Sequence, residues 1–245
     1  MIKRTYLSFS YLILYLPLFI LIIFSFIDKH HFSLHWYSIL IQDENILSAT
    51  YHSLVMAMLS ATIATILGLL AAVVLLRYRF PGRRLLNTTL FSYIILPDLV
   101  IGISLLLLMH ILNFQFGLLT LLIGHITLCL PFVTITINSR LYDFDQYLFE
   151  SAKDLGASEL TLFFRIAVPL LIPAIIAAWL LCFTLSMDDV IISYFLTGPN
   201  FQVLPLYIYS LVRLGLTPEI NAICSIIFFA TLLFILLAQF GLRRK

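Results

Sequence analysis

Residues 150–169 read Glu-Ser-Ala-Lys-Asp-Leu-Gly-Ala-Ser-Glu-Leu-Thr-Leu-Phe-Phe-Arg-Ile-Ala-Val-Pro. This is the longest polar segment between the apolar runs of the chain, and its polar residues are not loop formers. Ala, Leu, Lys and Glu dominate its first half, and all of them favour helix. Gly156 interrupts, as glycine does at a helix end or a close backbone approach. Phe163, Phe164, Ile166 and Val168 follow, and Pro169 opens the next apolar run. The pattern predicts a short helix, a turn and a second short helix, lying outside a bilayer between two spans.

The spacing is also a signature. Glu150, Ala152, Gly156, Ile166 and Pro169 match the pattern E-A-A, three residues, G, nine residues, I-x-L-P. That pattern resembles the loop of the membrane subunits of ABC importers. Ser151 replaces the usual Ala and Val168 the usual Leu; both changes keep size or apolarity. The resemblance implies that the loop 140–168 docks on a cytoplasmic ATPase through Glu150, Ala152, Gly156 and Ala157. The plainer alternative is an amphipathic connector.

The rest of the chain has to sit in lipid. Of its 245 residues 62% are hydrophobic and 11% charged, where a soluble domain carries about 25% charged residues. The mean hydropathy is +1.09. The apolar stretches are continuous and about 20 residues long, which suits helices and not barrel strands. The expected fold is an all-α membrane protein, a single polytopic domain over 1–245. Six spans are predicted, at about 6–27, 51–76, 85–112, 118–138, 169–187 and 219–240. The first is too long for the core of a signal peptide and lacks a small-residue cleavage site. The second is rich in Ala, Ser, Thr and Gly, which let helices approach closely in lipid.

Between the spans, residues 28–50 read as a solvated loop with Trp36 and Tyr37 at the interface. Its His30, His31 and His35 have no second cluster to make a metal site. Residues 190–218 are oddly apolar for a loop and predict one or two short helices folded back along the surface. Thr217-Pro218-Glu219 reads as a helix start. Cys129, Cys182 and Cys224 lie in three different apolar runs and read as small packing residues, not disulfides. The net charge of +2 says nothing of nucleic acid, and no nucleic-acid partner, cofactor or metal is expected.

Charge fixes an orientation. All Lys and Arg except Lys29 and Arg213 fall at the termini or in the loops around 77–84 and 140–165. The positive-inside rule puts these segments in the cytoplasm, where an ATPase would meet the 140–168 loop.

Three carboxylates remain among the apolar runs: Asp98, Asp188 and Asp189. An aspartate at the bilayer centre costs about 2.5–3.5 kcal/mol on insertion scales, so such residues line a bundle interior or a watery path. Counting 1.5 Å per residue, Asp98 lies roughly 20 Å and the Asp188-Asp189 pair roughly 30 Å above the cytoplasmic ends of their spans. Pro97 predicts a kink beside Asp98. Neighbouring positions on a helix diverge by about 100°, so one of the aspartate pair faces the path while the other caps a helix or meets a partner. Tyr194 and Phe195 add ring faces that attract ammonium groups. The candidate path is therefore Asp98, Asp188, Asp189, Tyr194 and Phe195, for a cation.

Further segments sharpen this. Residues 124–132 (Gly-His-Ile-Thr-Leu-Cys-Leu-Pro-Phe), 152–158 (Ala-Lys-Asp-Leu-Gly-Ala-Ser), 183–189 (Phe-Thr-Leu-Ser-Met-Asp-Asp) and Thr197-Gly198-Pro199 are similar to the permease subunits of polyamine (spermidine/putrescine) ABC importers. The similarity implies a bacterial inner-membrane location, a second homologous permease subunit, two ATP-binding subunits, an external substrate-binding protein and a polyamine cargo. It also implies that ATP is hydrolysed elsewhere, and the chain has no Gly-x-x-x-x-Gly-Lys-Ser/Thr loop. A permease for a different cationic solute keeps the same fold. A membrane-embedded enzyme would need Ser104, His110, His125 and Asp98 to converge, and no motif ties them together.

Overall fold

The computed structural model describes the backbone of all residues except 1, 29, 30, 143, 145, 216, 217, 244 and 245. The expected helix cap Thr217, together with His30, Lys29, Arg244 and Lys245, lies outside the described residues. In chain order the elements are α1 (Ile2–Ser25), β1 (Ile27–Asp28), β2 (His31–Phe32), α2 (His35–Gln42), α3 (Glu44–Arg77), α4 (Arg83–Ile95), α5 (Asp98–Ile111), α6 (Leu118–Tyr142), α7 (Gln146–Asp154), α8 (Glu159–Leu162), α9 (Val168–Asp188), α10 (Ile191–Leu196), α11 (Leu204–Leu214) and α12 (Pro218–Arg243). A π turn, Phe163–Ala167, joins α8 to α9. The chain forms two compact units, Met1–Ala49 with Tyr207–Lys245, and Thr50–Leu206.

In the first unit α1 packs along α12, and α2 also packs on α12. Among its described residues the segment 28–50, expected as a solvated loop, carries β2, α2 and the start of α3. Strands β1 and β2 pair antiparallel, with Ile27 opposite Phe32. Trp36 and Tyr37 do not serve only as interface rings: the Trp36 indole donates to the Ile27 carbonyl at 3.0 Å, and the Tyr37 hydroxyl meets Ser25 Oγ at 2.8 Å. Asp43 then starts α3 by accepting from the Asn45 and Ile46 amides at 2.8 and 3.3 Å. Aspartate is a favoured cap because its carboxylate satisfies amides that the first turn leaves free. The helix therefore begins at Glu44, ahead of the expected span start at residue 51. At 34 residues it is about 50 Å long, longer than a bilayer core of about 30 Å.

The second unit is centred on α6, which packs on α9. The buried residues of α6 include Leu121, His125, Cys129, Val133, Ile137 and Leu141. They recur every four positions, so the buried stripe shifts by about 40° per step and winds round the helix. Small residues set the spacing. A Cβ built on Gly68 of α3 would stand 2.5 Å from Val133 of α6. Cys129 and Cys182 each donate a thiol to the other's carbonyl at 3.7 Å, and both are buried and free, as packing residues should be.

The expected single span 85–112 is broken. Helices α4 and α5 meet at 117° across Leu96 and Pro97. Both of these residues are extended, with ψ of 140° and 134°. A proline forces the residue before it out of the helical region and supplies no amide of its own, so the helix stops instead of kinking. The count of 1.5 Å per residue that placed Asp98 fails here, because it assumed one straight rod. The second short helix of the 150–169 stretch also differs from expectation. It runs through the π turn into α9, so Glu159–Asp188 is one helical rod of 30 residues.

Among the described residues three helical stretches are long and apolar enough to cross a membrane, Glu44–Arg77, Leu118–Tyr142 and Glu159–Asp188, or four if the bent pair is one span. Residues 190–218 hold two short helices, α10 and α11. Between them Gly198 lies against the turn after α5. A Cβ there would stand 2.1 Å from the Phe116 carbonyl oxygen, a backbone atom that cannot swing aside. Gly198→Ala should therefore lower stability by about 1–3 kcal/mol, as overpacking does. Thermal unfolding of the purified protein in detergent measures it, and an unchanged midpoint would remove this contact from the account.

Candidate functional site

The end of α9 and the start of α10 form an elbow around one carboxylate. Asp189 has left the helix, with φ −68° and ψ 123°. Its two oxygens accept from the Ile192 and Ser193 amides of α10 at 3.2 and 2.8 Å. Oδ2 also lies 3.5 Å from His125 Nε2 of α6. His125 is buried; its Nδ1 meets Ser186 Oγ at 2.6 Å and its Nε2 meets Ser193 Oγ at 3.2 Å. Ser60 of α3 donates to Ser186 Oγ at 3.1 Å. Five polar side chains from four helices and one elbow thus satisfy one another, where leaving one unpaired would cost about 1–3 kcal/mol.

The other end of α10 is held as firmly. Thr120 of α6 donates to the Leu196 carbonyl at 2.8 Å. Along its length, Gly124 of α6 admits Leu196 and Ile192, and Gly102 of α5 admits Phe195. Cβ atoms at these glycines would stand 2.3 Å from Leu196 and 2.6 Å from Phe195. The six-residue α10 is wedged between α5 and α6 and capped at both ends.

This wedge brings the path candidates together. Asp98 is the first residue of α5, just past the Pro97 break. It lies within electrostatic reach of Asp188, and Asp189 is within reach of Asp188 too. Tyr93, near the end of α4, feels both Asp98 and Asp189, and its buried hydroxyl has no hydrogen-bond partner among the described residues. Asp98 and Asp188 are exposed. Three carboxylates gathered at two helix breaks form a region of negative potential that attracts cations. Their roles divide, however. Asp189 is committed within the chain as cap and histidine partner. Phe195, expected as an open ring face, is half-buried against Gly102. Tyr194 is 54% exposed and stands edge-on to Phe195. The exposed set is Asp98, Asp188 and Tyr194. Tyr93, His125, Ser186 and Ser193 were missed by sequence reasoning as members of this cluster. An aspartate just ahead of an apolar helix is a cap signal, and Asp189, two residues before Ile191, stands nearer that start than Asp188.

At the other end of α9 lies the loop of the opening stretch. Helix α7 ends in a left-handed Gly156 with φ +83°. The Gly156 amide bonds the Lys153 carbonyl at 2.8 Å, and the Ala157 amide bonds the Ala152 carbonyl at 3.0 Å. These are the paired hydrogen bonds of a Schellman cap. A Cβ on Gly156 would meet nothing within 4 Å, so the glycine serves the turn and not a close contact. Ser158 then caps α8, accepting from the Thr161 amide at 3.3 Å. Glu150 was expected to dock on an ATPase. It is exposed, and among the described residues its side chain makes no hydrogen bond or ion pair; it borders a cavity of about 320 Å³ together with Arg77, Lys153, Phe149 and Phe163. The brace of α7 is Glu159, which pairs with Arg77 Nη2 at 2.8 Å and Lys153 Nζ at 2.9 Å.

Comparisons with known proteins agree on the family. Residues 64–244 match the model of the binding-protein-dependent transport system inner membrane component. The chain is 45% identical, over 251 aligned positions covering 100% of it and 95% of the relative, to the spermidine/putrescine transport system permease protein PotC of Escherichia coli strain K12. It is 41% identical, over 87% of its length and 81% of the relative, to the putrescine transport system permease protein PotI of the same strain. Among solved structures it shares the fold of a bacterial ABC transporter for the acidic polysaccharide alginate, with a TM-score of 0.77 and 18% identity over 99% of this chain and 97% of that one. The chain belongs to the binding-protein-dependent transport system inner membrane components, the permease subunits of ABC importers.

Proposed function

We propose that this chain is the polyamine-conducting permease subunit of an ABC importer, and that Asp98 and Asp188 line its cation path. The observation that carries the cargo is the gathering of Asp98, Asp188 and Asp189 at the two helix breaks, in a chain 45% identical to a spermidine/putrescine permease. A spermidine or putrescine cation carries an ammonium at each end of a flexible apolar chain. Separated carboxylates with an aromatic ring between or beside them suit that shape. In this reading Asp98 and Asp188 meet the ammonium groups and Tyr194 offers its ring. Asp189 and Phe195 hold α10 in position. The path is shared with a second, homologous permease subunit and is loaded by an external binding protein.

The six spans are α1, α3, the bent α4–α5 pair, α6, the α8–α9 rod and α12, in a bacterial inner membrane. Both termini and the 140–168 loop face the cytoplasm, as the distribution of Lys and Arg favours. There α7 docks on one of two ATP-binding subunits through Glu150, Ala152, Gly156 and Ala157. ATP is hydrolysed on those subunits, and this chain is not an enzyme. ATP binding closes the partners, α7 moves with them, and the permease pair opens its path to the other side.

Two measurements test this. Asp98→Asn should raise the half-saturating spermidine concentration for uptake about tenfold, the equivalent of roughly 1.4 kcal/mol, with normal amounts of assembled complex. Asp189→Ala should instead lower the amount of assembled complex, because it strips the cap of α10 and the partner of His125. Unchanged uptake kinetics in Asp98→Asn would take that residue out of the path. For the docking loop, Gly156→Val puts a branched side chain into a left-handed conformation, at a cost of about 1–2 kcal/mol. Reconstituted transporter carrying it should still insert and bind its ATPase weakly, while spermidine uptake falls at least about tenfold. Full uptake would show that the turn has no part in docking.

A further inference from the structure

Glu159 stands where three segments meet. One carboxylate oxygen takes Arg77 Nη2, on the last residue of α3, at 2.8 Å. The other takes Lys153 Nζ, near the end of α7, at 2.9 Å. The Tyr78 hydroxyl donates to the carboxylate at 3.5 Å. Glu159 itself is the first residue of α8, and so of the continuous rod that leads into α9. Beside this junction, α7 and the ends of α3 and α6 border the cavity of about 320 Å³, lined by Leu76, Leu141, Phe149 and Phe163. Helix α7 is thus not packed solidly on the bundle along this side. The Schellman turn at Gly156 ties it to the rod, and the ion triad ties it to both the rod and α3.

We propose that Glu159 is a positioning residue, an ionic strut that carries displacement of α7 to the end of α3 while the adjoining cavity gives α7 room to move. The proposal rests on the docking of α7 put forward above. Covalent continuity already joins α7 to α9 through residues 155–158. Nothing covalent of comparable length joins α7 to α3, more than 60 residues earlier in the chain. The triad makes that link: one carboxylate lies 2.8 Å from the Arg77 cation of α3 and 2.9 Å from the Lys153 cation of α7. The Glu159 side chain is 50% exposed, as is that of Lys153. Half-exposed ion pairs stabilise a fold little, so the effect of the triad falls on the transmission of motion.

The test uses the complete transporter in proteoliposomes, reading radiolabelled spermidine imported per ATP hydrolysed. In Glu159→Gln that ratio should fall roughly twofold to thirtyfold, the span of measured coupling effects, with assembly and melting temperature unchanged. The wild-type ratio should also decline as salt is raised, because exposed ion pairs are screened, while the variant's stays flat. The combined variant Arg77→Glu, Lys153→Glu, Glu159→Arg rebuilds the triad with inverted charge and should recover most of the ratio. A wild-type ratio in Glu159→Gln, or uptake and hydrolysis lost in equal proportion, would overturn the strut. Should Glu159→Gln fail to assemble, Glu159→Asp, one methylene shorter, takes its place with the same readings. Wild-type vesicles that import no spermidine would count against the cargo alone. The strut is then decided by spin labels on Val74→Cys and Leu155→Cys, both at exposed positions: their separation should hold constant on ATP binding in the wild type and change in Glu159→Gln, and an equal change in both overturns it.

Discussion

The carboxylate of Asp189 serves two purposes at once. It closes the open amides of α10 and it meets the buried imidazole of His125. A buried helix end has no water to satisfy its open amides, so an irregular stretch survives there only where protein groups replace the solvent. The rest of this unit follows from that requirement. Because Asp189 and Thr120 satisfy both ends of α10, so short a helix can be wedged between α5 and α6. Because α10 is wedged there, the chain on either side of it is placed, and Asp188 stays at the surface of the cluster within reach of Asp98.

The second break has a different origin. At Pro97 the chain loses an amide and gains a steric restriction, and α4 and α5 part at 117°. The two breaks, one made by a proline and one by an aspartate, arrive at the same place from residues about 90 positions apart. Neither carboxylate cluster nor aromatic ring would be gathered by straight helices. Negative charge in this protein is positioned by interruptions of secondary structure, and the helices between them serve as spacers.

Much of this was legible in the sequence, for reasons that can be named. Long apolar runs leave little choice but helix, so α3, α6 and α9 cover such runs, although α3 begins at Glu44 and the rod of α9 at Glu159, ahead of them. Gly156 announced its turn because only a left-handed residue closes a helix in that way. Pro97 gave the place of the break but not its angle, since an angle depends on what α5 packs against, here α10. The polar knot was out of reach: Asp189 stood out, but its partners Ser60, His125, Ser186 and Ser193 come from distant parts of the chain, and each alone looks like a tolerated polar residue in an apolar run. The Glu159 triad was hidden in the same way, with Arg77 read only as a marker of orientation. The segment 28–50 was misjudged because its aromatic residues fit an interface. Their hydrogen bonds to Ile27 and Ser25 depend on a hairpin that two-residue strands barely announce.

The contact of Gly198 with the Phe116 carbonyl has a consequence for tolerance to length change. Surface turns between helices are ordinarily where a chain accepts extra residues. Here the turn after α5 and the turn after α10 interlock backbone to backbone, so neither can grow without pushing on the other. An epitope tag or a reporter protein spliced into 112–117 or 197–202 would disturb both crossings together, and engineers seeking a permissive site should look to other connections.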